Sequence, residues 1–379
     1  MRWLKSVACG PSTCVEGKSH LVLDGKRYAH SGDLPLMTPF VVADLVHGMM
    51  PLDRPAKRVP VDSPWETPQA GEWDGKTLAD WLDKGMNRHG RRILETYLGA
   101  VLVTEATAPS ILHVLFYIRS GTDLDTLLDF EGGAQQDRII GDSQLGANGL
   151  AERLGDSLEV ATPVTRIING GDAVRVKSER VIVRQRRGRH GCAGRRRADQ
   201  VRPSAPACPS GPSRDDAKRH RPQGLSLLRR AVLADRWSQR IRDDANPPCR
   251  VQRRRTPPEG APGVLAAFLW GRAADEARRL RPDGRRELVT GFLVRILGEH
   301  ASRPSDVHEL DWLAEEWTAG CYAGLMPPGA WSRRGPALRD SVDRVHWAGS
   351  ETSAIRMGYL EGAMRSGERV ADKILDGRG

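Results

Sequence analysis

Cysteine is scarce in this sequence, and long hydrophobic runs are missing from it. None of its 379 residues belongs to an apolar run long enough to cross a membrane, and no charged-then-apolar leader opens the chain. An integral membrane protein is thereby excluded, and a secreted one is not expected. Six cysteines are too few for a disulfide scaffold at this length, which favours a reducing cytoplasm. Cys9 and Cys14 have no partners at metal-ligand spacing, so no metal site is predicted.

Excess basic charge is absent everywhere except in one block. Residues 188–255, here called the arginine block, hold 17 arginines and one lysine against six aspartates, a local net charge of +12. The rest of the chain carries 40 basic and 42 acidic side chains. The arginine block has seven prolines, a single aromatic residue (Trp237) and no sustained helical or strand period. Nucleic-acid patches usually lie on folded elements or interleave with aromatics, so a nucleic-acid partner is not predicted.

Outside the arginine block, hydrophobic periodicity predicts a mixture of helices and strands. Thr38-Pro39 opens a helix that carries Leu45 and Met49 on its apolar side, and Pro109-Ser110 opens a strongly apolar helix that runs to Arg119. Further helices are predicted at residues 77–82, 88–103, 150–154 and 287–297, and strands at residues 21–23, 27–28, 157–162, 173–176 and 263–270. The fold class is therefore α/β or α+β.

The C-terminal stretch predicts a strand, a glycine turn and a long helix. Residues 344–348 form a short β-like run that stops at Gly349-Ser350-Glu351-Thr352. Apolar residues then recur at helical spacing over about residues 357–375, with Lys373 in the last turn and Gly377 just beyond. A helix that starts after a glycine turn can bind an anion or a dipole. An ordinary βα unit shows the same spacing.

Long motifs in this stretch resemble the flavin-dependent monoamine oxidase family. HWAGSETSAIRMGYLEGAMRSGERVADKIL closely resembles the C-terminal flavin-binding signature of that family. EEWTAGCYAGLMPPG, GGAQQDRIIGDSQ and VEGKSHLVLDGKRY resemble three further family segments in the right order. The likeness covers roughly residues 15–187 and 256–379. It implies a two-domain flavin amine oxidase fold, with residues 1–30, 139–245 and 315–379 in the FAD-binding domain. Residues 31–138 and 246–314 fall in a substrate domain of helices and antiparallel sheet.

The resemblance also implies roles for individual residues. Tyr322 and Tyr359 occupy the places of two tyrosines that form an aromatic cage before the flavin, where ring faces align the amine. Gln135 occupies the place of a glutamine that lines the substrate cavity. Cys321 occupies the place of a cysteine that forms a thioether to the flavin in some members. The remaining FAD contacts implied by the likeness are Gly349, Glu351, Gly358, Tyr359 and Leu360.

Two family features have no counterpart in the sequence. The likeness begins after the place of the Gly-x-Gly-x-x-Gly unit that binds the FAD pyrophosphate, and no such motif occurs in the 379 residues. We therefore expect an N-terminal truncation, with residues 1–30 as a remnant of the domain. Thr256-Pro257-Pro258-Glu259-Gly260 has Pro257 where the family often has a lysine that reaches the flavin N5 through a water.

The arginine block is interpreted as a stretch read out of frame. When the codons of residues 199–206 are read one base further on, they permit the family string I-R-F-D-P-P-L-P. The codons of residues 229–235 and 235–240, shifted alike, permit D-E-P-F-W-R and T-G-G-L-S-G. GC-rich codons read out of frame yield Arg, Pro, Ala and Gly, which is the observed composition. The hypothesis is that the family frame returns at Thr256.

The functional hypothesis is FAD-dependent oxidation of a primary amine to an aldehyde, with O2 reduced to H2O2. A non-catalytic remnant of such an oxidase is the alternative, because the pyrophosphate motif is missing and the arginine block places charge where the family buries apolar residues. A basic nucleic-acid or partner-binding protein ranks last. The expected partners are a small amine and O2. The sequence does not name the amine or the oligomeric state.

Overall fold

The fold is described from a computed structural model of the chain. The described residues are 11–13, 19–23, 26–30, 39–84, 86–128, 133–134, 137–139, 143–170, 173–178, 182–186, 224–230, 240–243, 249–254, 264–317 and 320–376. They form a mixture of helices and sheets, as the sequence predicts. Among them, no helix combines the length and the apolar character that a bilayer crossing requires.

Most of the helices lie where periodicity and capping residues predict them. The helix at residues 78–82 begins with a capping box at Thr77. The Thr77 hydroxyl accepts a hydrogen bond from the Asp80 amide at 3.1 Å, and the Asp80 carboxylate accepts one from the Thr77 amide at 2.9 Å. Ser110 caps the next long apolar helix through the His113 amide at 3.2 Å. The described α-helices are α1 Pro39–Ala56, α2 Ala70–Asp74, α3 Leu78–Leu82, α4 Arg88–Leu102, α5 Ile111–Ser120, α6 Leu124–Leu128, α7 Gln144–Leu154, α8 Gly271–Arg279, α9 Pro282–Leu297, α10 Ala330–Arg334 and α11 Leu360–Leu375.

The strands form three sheets. The largest has seven strands in the order β12-β8-β11-β10-β9-β2-β3, and every pairing in it is antiparallel except that of β2 with β9. A three-stranded sheet has the order β5-β6-β7, and β1 pairs with β4. The described strands are β1 Pro11–Thr13, β2 Ser19–Leu23, β3 Lys26–His30, β4 Asp137–Ile139, β5 Val164–Gly170, β6 Ala173–Ser178, β7 Ile182–Arg186, β8 Gly224–Arg230, β9 Arg240–Asp243, β10 Cys249–Arg254, β11 Val264–Trp270 and β12 Asp306–Asp311.

Three expectations about strands are wrong. The arginine block, which has no strand period, supplies β8, β9 and β10 of the large sheet, because backbone pairing needs no particular side chains. Residues 157–162 are not a strand: a turn over Gly155–Ser157 follows α7, and the next strand starts at Val164. Residues 344–348 form only an isolated bridge between Val342 and Val345. The Trp347 carbonyl accepts a hydrogen bond from the Arg369 guanidinium at 2.9 Å. A side chain thus takes the place of the strand that would otherwise pair there.

Two hydrophobic clusters form the main cores among the described residues. The larger packs α1 to α6 together with residues 325–357 of the C-terminal segment, and α5 is buried along all of its length except Arg119. The smaller packs β11 against α8 and α9. The larger cluster positions the candidate site, because Ala323 and Tyr359 pack against its surface.

Candidate functional site

Two segments that the sequence singles out meet beside α5. The Gly358 backbone has φ +80°, and a Cβ added there would lie 3.4 Å from both the Ala323 Cβ and the Tyr117 hydroxyl. The Gly324 amide donates to the Glu351 carboxylate at 3.4 Å. The residues after Cys321 are thereby placed against residues 349–358, which lie more than twenty positions later in the chain.

Three tyrosines lie together at this junction. Tyr117 is buried on α5, Tyr359 is half-buried, and the Tyr322 side chain is 44% exposed. Burial raises the pKa of Tyr117 well above its usual value; the charges of Tyr359 and Tyr322 and a hydrogen bond to the Tyr359 side chain raise it further. The site therefore contains Tyr322, Tyr359 and a third tyrosine that sequence reasoning missed. The available signal was a polar-tipped ring inside an otherwise apolar helix.

The C-terminal end of α5 holds the backbone that leads into Tyr359. The Ser120 carbonyl accepts the Arg356 amide at 2.8 Å, and the Ser120 hydroxyl accepts the Met357 amide at 3.0 Å. The Arg356 guanidinium donates to the Gly121 carbonyl at 2.9 Å. Three hydrogen bonds thus fix residues 356–357 to the helix that carries Tyr117.

The start of α11 has the features of an anion-binding helix end. Its N-cap residue is Tyr359, whose side chain makes no capping hydrogen bond to the first-turn amides. Leu360, the first residue of the helix, is 63% exposed. Gly349 has φ +154°, and its amide donates to the Ser366 hydroxyl within α11 at 2.9 Å. An uncapped helix start, two glycines with positive φ and the partly exposed rings of Tyr322 and Tyr359 fit the flavin end of an FAD, since a flat ring system needs close backbone approach.

Comparisons with known proteins agree with the flavin amine oxidase fold that the sequence motifs predict. Residues 221–375 match the family model described as "Flavin containing amine oxidoreductase". The Mycobacterium tuberculosis protein named "Putative flavin-containing monoamine oxidase AofH" is 30% identical over 376 residues, which cover 95% of this chain and 79% of that protein. This chain belongs to the flavin-containing amine oxidoreductases. Flavin-containing amine oxidase A of Equus caballus is 27% identical over 370 residues, covering 94% and 69% of the two chains.

Solved structures of amine oxidases share the fold. Cyclohexylamine oxidase from Brevibacterium oxydans IH-35A superposes with a TM-score of 0.84, covering 99% of this chain and 84% of that one, at 24% identity. Wild-type putrescine oxidase bound to putrescine superposes with the same TM-score at 23% identity. The predicted two-domain flavin amine oxidase fold is confirmed, and with it an enzyme family that uses FAD to oxidise amines.

The family match includes part of the arginine block. It starts at residue 221 and so covers residues 221–255, which the reading-frame hypothesis sets outside the family sequence. Three strands of the large sheet come from the same stretch. The out-of-frame interpretation of residues 188–255 stays a prediction.

Cys321 is the cysteine that the family likeness links to the flavin. It is half-buried and makes no disulfide. Burial raises the pKa of its thiol to about 11, so the thiol is protonated at neutral pH and is a weak nucleophile before a cofactor binds. Gln135 lies outside the described residues, as does Pro257.

A cavity of about 480 Å³ lies between α1, α4 and α6. Among the described residues, its lining contains none of Tyr117, Tyr322 and Tyr359; it consists of Leu45, Val46, Met49, Met50, Asp53, Arg54, Lys57, Ile93, Leu94, Tyr97, Asp125 and Leu128. No group of three or more His, Cys, Asp or Glu side chains suited to a metal ion occurs in the described part of the chain.

Proposed function

We propose that this chain carries the site of an oxidase for hydrophobic or aryl-alkyl primary amines. The reaction converts an amine, O2 and water into an aldehyde, ammonia and H2O2. A bound FAD supplies the two-electron acceptance from the amine α-carbon and the electron transfer to oxygen. The observation that carries the proposal is the arrangement of Tyr322 and Tyr359 around Tyr117, directly beside Gly358.

Tyr322 and Tyr359 bind and orient the amine. Their electron-rich ring faces attract the amine group and hold its α-carbon in a defined direction, which lowers the entropic part of the barrier. No strong base is required, since the pocket needs only to exclude water and bind the neutral amine. Gln135 completes the predicted lining. An apolar aromatic pair disfavours sugar or dianionic substrates.

The cofactor is assigned to the C-terminal segment. Gly349, Glu351, Gly358, Tyr359 and Leu360 are the proposed FAD contacts, and the positive end of α11 stabilises negative charge that develops on the flavin. Cys321 is the proposed point of covalent attachment. Because a protonated thiol is a weak nucleophile, we expect attachment only after FAD has bound non-covalently.

Ring removal tests the aromatic cage. In a chain whose residues 188–255 carry the restored family frame, Tyr322→Ala and Tyr359→Ala should each lower turnover by about tenfold or more, the range of cation–π and ring contacts. Flavin content should change far less. Phe40→Ala is the control, since Phe40 lies on α1 and is 84% exposed. Unchanged turnover in both cage variants would remove the assignment.

Flavin fluorescence on a denaturing gel tests the covalent link. The frame-restored chain should keep a fluorescent band, and its Cys321→Ala variant should lose it while still binding FAD before denaturation. If flavin washes away equally from both proteins, Cys321 is structural.

The second candidate is a non-catalytic relative of these oxidases. It is favoured by the arginine block, which carries a net charge of +12 where the family likeness places apolar side chains. The 379 residues expressed unchanged should then hold much less than one FAD per chain and release little peroxide from benzylamine or tyramine. A soluble yellow protein with about one flavin per chain would eliminate this candidate.

We also propose a cytoplasmic location, which rests on the scarcity of cysteine in the sequence.

A further inference from the structure

We infer that Tyr117 is a positioning residue that sets the orientation of the Tyr359 ring. The inference rests on the proposed function, because it gives Tyr359 the role of a cage wall. Tyr117 itself is 7% exposed and lies within the core, so its task is to hold another side chain.

The surroundings of Tyr117 explain why a tyrosine is needed there. Its neighbours along α5 are apolar and buried, including Phe116 and Ile118, and phenylalanine would fill the same space. A buried hydroxyl without a hydrogen-bond partner destabilises the folded state. The hydroxyl lies 3.4 Å from the place that a Gly358 Cβ would take, next to Tyr359, and a hydrogen bond to the Tyr359 side chain contributes to its raised pKa. The hydroxyl therefore points at the residue pair that leads into α11.

The same helix controls both ends of Tyr359. Its backbone follows Arg356 and Met357, which the end of α5 holds through Ser120 at 2.8 and 3.0 Å. Its phenol is hydrogen-bonded to Tyr117, which lies one turn before Ser120 on α5. A side chain held at its backbone and at its tip has little rotational freedom left, which is the preorganisation a binding wall requires.

Tyr117 also stays a neutral donor over the physiological range. Burial, followed by the charges of Tyr359 and Tyr322, holds its pKa well above the usual value for tyrosine. It can therefore remain a hydrogen-bond donor while an amine binds next to Tyr359.

The test uses the full 379-residue chain and needs no flavin. The sequence has only five tyrosines, so 3-fluorotyrosine labelling gives five 19F signals that single Tyr→Phe variants assign. Tyr117→Phe keeps the ring and removes the hydroxyl; it should shift the Tyr359 signal. Tyr97→Phe, the loss of a hydroxyl from another buried tyrosine on α4, should leave that signal in place. An unmoved Tyr359 signal in Tyr117→Phe overturns the inference.

A reciprocal variant covers the case in which Tyr117→Phe does not fold. Tyr359→Phe should shift the Tyr117 signal, and a Tyr117 signal that stays unchanged overturns the inference as well. In flavin-loaded, frame-restored protein, Tyr117→Phe should lower kcat about three- to tenfold at unchanged KM and flavin content, the loss expected for one hydrogen bond.

The two proposals fail in different ways. If the Tyr359 signal moves but Tyr359→Ala leaves turnover intact, the bond between the tyrosines stands and the cage assignment falls. If Tyr359→Ala lowers turnover while Tyr117→Phe moves neither the signal nor kcat, the cage stands and Tyr117 is packing only.

Discussion

The helical core and the seven-stranded sheet are built from sequences of opposite character. Nine of the ten residues of α5 are buried, and apolar side chains from α1, α4 and the C-terminal segment pack around them. In the sheet, the buried apolar strand β11 lies between β8 and β10, two strands of the arginine block. Together with β9, these strands contain seven arginines: Arg229, Arg230, Arg240, Arg242, Arg250, Arg253 and Arg254.

The difference separates two contributions to a fold. Backbone hydrogen bonds pair strands of almost any sequence, and each adds about 1 kcal/mol net. Burial of apolar surface depends on the side chains and supplies most of the stability. The helical core has both contributions, whereas a sequence rich in arginine offers less apolar surface to bury, since an unpaired buried charge costs several kcal/mol.

The largest effect is expected from a cavity at the centre of the helical core. Phe116 is fully buried and packs edge-on against Trp331 at 4.9 Å between ring centroids. Phe116→Ala should lower the free energy of unfolding by about 3–5 kcal/mol, measured by urea denaturation. Phe40→Ala is the control, because Phe40 is 84% exposed on α1 and should change stability by less than about 0.5 kcal/mol. Similar losses in both would contradict the assignment of the core.

Hydrogen exchange compares the two regions directly. The amides of α5 should exchange at least about a hundredfold more slowly than those of β8 and β10, since strands whose sequences offer little apolar surface open locally at a lower cost in free energy. Mass spectrometry of peptides covering residues 111–120, 224–230 and 249–254 measures this. Equal protection would show that the arginine-rich strands are packed as tightly as the helices.

Acid should weaken the helical core through one histidine. His113 is fully buried, and desolvation lowers its pKa to about 3, whereas the unfolded chain takes up the proton near the ordinary value of 6.5. The stability of the folded state is therefore complete above pH 6.5 and is lost as the pH falls from 6.5 towards 3. At pH 5 the loss attributable to His113 should be about 2 kcal/mol.

Chemical denaturation between pH 8 and pH 5 checks this dependence. His113→Phe should flatten the profile by that amount, whereas substitution of the exposed His300 by Gln should keep it. An unchanged slope in His113→Phe would place the acid sensitivity elsewhere in the chain.

The smallest effect on stability is expected when the side chain removed makes polar contacts and is not a packed aromatic ring. The Ser341 hydroxyl accepts the Lys373 ammonium of α11 at 2.7 Å and lies 2.8 Å from Nδ1 of His346. Ser341→Ala should cost about 1 kcal/mol, the usual net value of such bonds. Ser332→Ala, at an exposed side chain, is the matched control for thermal unfolding. A loss as large as that of Phe116→Ala would place Ser341 in the core.

Local signals in the sequence predicted helices better than strands. Capping residues and 3.6-residue periodicity located α3, α4, α5 and α11 to within a few residues. α9 starts at Pro282, five residues before the start that hydrophobic periodicity predicts, although proline at the first helical position is a known signal. A strand depends on a neighbour elsewhere in the chain, so residues 157–162 and 344–348 looked extended without having one.

The site shows the same division. The family motifs singled out Tyr322 and Tyr359, and the structure brings both to one buried tyrosine; their roles stay predictions. Tyr117 carries no motif and lies in an apolar helix, where the local pattern indicates packing alone. Its partners are set by tertiary contacts over more than 200 residues, which no window of local sequence contains.

The long reach of those contacts has a consequence for how the chain folds. The hydrogen bonds that join the end of α5 to Arg356 and Met357 span 235 and 237 positions. During synthesis, the helices up to α6 emerge early, but the surface that receives Tyr322 and Tyr359 stays uncovered until nearly the last residue is made. High contact order of this kind slows folding and exposes intermediates. The tyrosine cluster is therefore expected among the last parts of the molecule to form, and among those most dependent on chaperones.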